Sequence, residues 1–110
     1  MGQNHTCHIS NDSRETVKVV LTDYENKNST MVLAPGNTHA FEMGKWHGGN
    51  HGTITASLFR QVNGKWSKNA EACYTGTSDT SFIVDHGHAG TLGIWRAVYG
   101  TLHDKAGKVA

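Results

Sequence analysis

Residues 16–24 read Thr16-Val17-Lys18-Val19-Val20-Leu21-Thr22-Asp23-Tyr24. Successive side chains of an extended chain point to opposite faces, so Val17, Val19 and Leu21 share one face of a strand. Val20 on the other face predicts a strand inside a sheet rather than at its edge. The same period of two recurs at 91–99, with Leu92, Ile94 and Arg96 on one face and Trp95, Ala97 and Tyr99 on the other. Shorter alternating stretches lie at 30–33, 38–43, where Phe41 and Met43 share a face, 53–60, 66–74 and 81–85. Pro35-Gly36-Asn37 turns the chain, because proline presets φ at the second turn position and glycine accepts a positive φ at the third. Asn63-Gly64 is a two-residue hairpin signal that pairs Val62 with Lys65 and sets Phe59 opposite Lys68. The return strand from Trp66 is weakly apolar, which predicts a sheet edge. No segment carries a helical period. The fold class expected is all-β: a single-domain antiparallel β-sandwich or jelly roll of about seven or eight short strands. It spans residues 1–110, with the polar tail 101–110 expected to fray.

At 110 residues and 11.9 kDa the chain makes one domain, burying roughly two-thirds of its unfolded surface. Ten basic against nine acidic residues leave a net charge of +1. That balance lacks the basic footprint of a nucleic-acid binder, and no apolar run is long enough to span a membrane. Charged residues make up only 17%, so the polar surface is built from neutral Thr, Asn, Ser and His. The eight histidines would add eight positive charges in mild acid.

Cys7 and Cys73 form a bridge only if the protein is secreted into an oxidising compartment. The N-terminus has no apolar leader segment. The expectation is therefore an extracellular protein whose leader is absent from this chain, or else a leaderless cytoplasmic one. The myristoylation-like Gly2…Thr6 and three Asn-x-Ser/Thr matches are of the kind that chance supplies in a chain of this composition.

Two glycine-rich loops hold the residues with most chemistry. The first, 44–52, has four glycines in nine positions and is expected to be irregular. The second is 86–90. A sugar site needs an aromatic plate for the C–H face of the ring and planar polar groups for its hydroxyls. Trp46, His47, Asn50, His51, Asp85 and His88 meet that need, provided that both loops emerge at one end of the sandwich. The same loops offer a metal reading. His86 and His88 are two apart and would point to one side of extended chain, with His47 or His51 as a third zinc or copper ligand and Asp85 beside them.

Catalysis finds less support. Gly76-Thr77-Ser78-Asp79-Thr80 lacks the second glycine of a nucleophile elbow. A hydrolase or ribonuclease site of a histidine, Glu42 and Arg60 has its strand-mates His39 and Glu42 on opposite faces. The strand rhythm resembles that of small β-sandwich lectins and of sandwich-fold cytolysins, a likeness of fold only. The leading expectation is a non-enzymatic lectin-like module that reads glycans or glycosylated surfaces and gains avidity as a homo-oligomer. A histidine-based zinc or copper protein is the alternative, and a membrane-headgroup-binding cytolysin-like domain the third.

Overall fold

The computed structural model describes residues 2–23, 26–47, 52–76, 81–98 and 100–110, with side chains for these except 2–5, 43–47, 52–53 and 74–76. Among the described residues nine strands form two sheets. They are β1 (Gly2–Asn11), β2 (Val17–Thr22), β3 (Asn28–Leu33), β4 (Thr38–His47), β5 (Gly52–Val62), β6 (Lys65–Gly76), β7 (Ser81–His86), β8 (Leu92–Ala97) and β9 (Lys105–Lys108), with a short 3-10 turn at His88–Gly90 before β8. The order is β4-β1-β7-β8-β9 in one sheet and β3-β2-β5-β6 in the other. No described helix is long and apolar enough to cross a membrane.

The alternation read at 16–24 is the architecture of β2. Val17, Val19 and Leu21 are buried, and β2 lies between β3 and β5, inside its sheet. Between the sheets they meet Ile54, Ala56, Leu58 and Ala72 from their own sheet, and Cys7, Ile9, Phe41, Phe82, Val84, Leu92 and Ile94 from the other. Asn63 (φ 53°) and Gly64 (φ 80°) make the hairpin turn, and Val62–Lys65 and Phe59–Lys68 pair as expected. β6 is an edge strand. At 34–37 the Asn37 N–H closes on the Ala34 carbonyl at 3.1 Å, around Gly36 at φ 85°.

Three expectations are corrected. The polar tail supplies β9, whose Lys108 and Lys105 pair with Trp95 and Ala97, while Val109 and Ala110 pack on the core. The segment 44–47 is strand, because Gly2, Gln3 and Asn4 of β1 pair with His47, Trp46 and Lys45; cross-strand pairing there overrides glycine's weak local preference. Finally, β1 and β7 pair in parallel, in an otherwise antiparallel fold.

One end of the sandwich is closed by a polar knot. Asn11 is wholly buried; its amide donates to the Glu15 carbonyl at 2.7 Å and the Leu33 carbonyl at 2.9 Å. Its carbonyl oxygen accepts from the Ser13 N–H and hydroxyl. A buried amide with both ends satisfied fixes the path of the β1–β2 link.

Candidate functional site

The parallel β1–β7 pair decides where the two glycine-rich loops go. β4 runs antiparallel to β1 and ends with His47 opposite Gly2. β7 runs with β1, so its end lies beyond the Asn11–Val84 pair. The 44–52 and 86–90 loops therefore leave opposite ends of the sandwich, separated by the length of β1, about 30 Å at the usual rise per residue. Four of the six residues expected to share a sugar site are placed, at least by their backbone, and they lie at both ends. Asp85 and His88 are at one end; the backbone of Trp46 and His47 is at the other. The side chains of Trp46 and His47, and residues 50 and 51 altogether, lie outside the described residues.

His86 is committed to the fold. Its Nδ1–H donates to the Gly90 carbonyl at 3.1 Å, and Nε2 accepts the Arg14 N–H at 3.3 Å, so neither ring nitrogen is left for a metal. His88 is exposed in the turn that follows. No group of three metal-ligating side chains forms among the described residues. Arg60 pairs with Glu15 at 2.8 Å rather than with Glu42, which is exposed on β4 of the other sheet. The conditional Cys7–Cys73 bridge is not formed. Cys7 faces the core from β1, whereas Cys73 follows the buried Ala72 and so points out of the opposite sheet.

What the fold does assemble is a group around Trp95, on the outer face of the five-stranded sheet. Alternation turns Leu92 and Ile94 inward and Trp95 outward. The indole lies close against backbone at two glycines: a Cβ on Gly87 would come within 3.0 Å of its ring, and one on Gly93 within 3.3 Å. The Lys105 Nζ stands 4.7 Å from the ring centroid and the Lys108 Nζ 5.7 Å. Asp85 joins them, its Oδ2 receiving the Lys105 ammonium at 2.6 Å and its Oδ1 the His86 N–H at 2.7 Å.

Of the anticipated residues whose side chains are described, Asp85 alone belongs to this group. The outward position of Trp95 was legible from the strand period. Lys105 and Lys108 were not, because they arrive on a strand with no apolar pattern. A second ring-and-cation group lies on the outer face of the other sheet, where the Lys18 Nζ is 4.5 Å from the Phe59 centroid and 5.6 Å from that of Trp66.

No protein-family model, curated protein or solved structure matches the chain.

Proposed function

We propose that the chain is a non-enzymatic carbohydrate-binding module of lectin type whose platform is Trp95 with Asp85, Lys105 and Lys108. The observation that carries this reading is a half-buried outward-facing indole with one carboxylate and two ammoniums gathered around it. An indole offers the C–H face of a pyranose a large apolar contact without losing rotamer freedom on binding. The Asp85 oxygens retain lone pairs for sugar hydroxyls, and the lysine ammoniums supply donors. The lysine stems are long enough to swing aside as the sugar stacks. A platform this shallow binds one sugar weakly, so useful avidity comes from several copies on a glycosylated surface.

The test is a glycan array probed with wild type, Trp95→Ala and Asp85→Asn, each checked by thermal unfolding for a retained fold. Both substitutions are expected to remove most of the signal. Binding undiminished in a folded Trp95→Ala protein refutes the site. An empty array, repeated with an oligomerised protein, refutes the function.

A further inference from the structure

Resting on the carbohydrate reading, we infer that the Trp95 platform selects acidic saccharides, those carrying a carboxylate or a sulfate. Two ammoniums stand over one ring, and among the described side chains one carboxylate, Asp85, is paired with them, through Lys105. Asp85 is already engaged at both oxygens, by Lys105 and by the His86 N–H. Among the described residues no carboxylate pairs with Lys108. The Lys108 ammonium, which overlies the stacking surface, therefore has no described ion-pair partner of its own.

A neutral sugar stacked on Trp95 would take water from that ammonium and return only hydroxyls. An acidic sugar brings the missing counter-charge to the same place, forming a charge-assisted hydrogen bond of the stronger kind. The net charge of the chain is only +1, so there is no long-range pull on polyanions in general. Selection depends on contact at Lys108.

The experiment is calorimetric titration with a matched series: a neutral oligosaccharide, its uronate counterpart and its sulfated counterpart. Wild type, Lys108→Met and Lys108→Arg are compared at about 0.05 M and about 0.5 M salt, which spans the range over which contact charges become screened. Acidic members are expected to bind roughly fivefold or more tightly than the neutral one at low salt, the size of a well-placed exposed ion pair. Lys108→Met should erase that preference and Lys108→Arg keep it. Equal binding of neutral and acidic members, or a preference that survives Lys108→Met, overturns the acidic class and leaves the carbohydrate reading standing. Failure of every saccharide to bind overturns both.

Discussion

The two outer faces of the sandwich carry the same ingredients, an aromatic ring beneath a lysine, in different settings. On the five-stranded sheet the ring stands beside a second layer of packing. Ile83 is wholly buried although it points away from the main core, and its neighbours in register are Ser10 and Trp95. Ser10 is wholly buried too, bonded to the Thr38 hydroxyl at 2.8 Å. The connection between β8 and β9 is drawn back to this side by His103, whose Nδ1–H donates to Asp12 at 2.9 Å. On the four-stranded sheet Lys18 serves both Phe59 and Trp66, and Val32 beside it on β3 is 50% exposed. No described carboxylate pairs with that lysine. A cation over a ring is thus not by itself a site; the glycine-lined seat and the paired carboxylate distinguish one face from the other.

The largest effect that separates the faces is expected at Ile83. Ile83→Ala empties a fully buried position and should cost about 2–5 kcal/mol, while Val32→Ala on the open face should stay within about 0.5 kcal/mol. Urea denaturation of both variants measures the contrast. Similar small losses would mean that the outer layer of the five-stranded sheet is not packed as described.

Gly93→Ala comes next. Its methyl would stand 2.9 Å from both the Ala110 carbonyl and Lys108 Cε, and 3.3 Å from the Trp95 ring. The lysine can move, but the Ala110 carbonyl accepts the Ile94 N–H at 2.9 Å and can retreat only by stretching that bond. A loss of about 1–3 kcal/mol is expected, the usual cost of overpacking, together with weaker sugar binding as the indole is displaced. Gly107→Ala, with open space around it, is the control and should bind as wild type does. A Gly93→Ala protein of wild-type stability would break the account of the Trp95 seat.

On the open face, Lys18→Met keeps the stem and removes the charge. The loss should be about 0.5–1 kcal/mol, that of an exposed cation–aromatic contact, with glycan binding unchanged. Lost glycan binding would move the site to the four-stranded sheet.

How much of this the sequence disclosed follows from what each contact depends on. β2, the Asn63-Gly64 hairpin and the Pro35-Gly36 turn rest on local alternation and on φ preferences, both written in adjacent residues. β1 and β9 are held by partners distant in the chain. Among its described side chains β1 offers Cys7 and Ile9 to the apolar core, and Lys105–Lys108 offers no buried side chain. The direction of β7 beside β1 has no local signature, yet that choice sends the two glycine-rich loops to opposite ends. The sugar site expected from residue types alone required Asp85 and His88 to meet Trp46 and His47, and convergence depends on topology. Asp85 stayed a candidate because strand register, not loop conformation, carries it to Trp95's neighbourhood.

The smallest difference expected concerns Glu71, on the open face. The Lys68 ammonium hydrogen-bonds its carboxylate, and the Ser57 hydroxyl donates to it at 3.0 Å. The Lys68 bond, then the Ser57 bond, then the Lys68 charge hold the Glu71 carboxyl below the ordinary carboxylate range. A carboxyl with a lower pKa in the folded chain than in the unfolded one stabilises the fold above the unfolded value, and that contribution is lost as pH falls through the folded value. Glu71→Gln should therefore be slightly less stable than wild type at neutral pH, and the two should converge in acid as the wild-type carboxyl takes up its proton. Because the pair is exposed, salt should shrink the neutral-pH gap as well. Parallel urea titrations at neutral and acid pH, with and without added salt, measure it. A gap that widens in acid, or that salt leaves untouched, would show that Glu71 acts through packing rather than through its charge, and would give the open face a buried anchor like that of the face opposite.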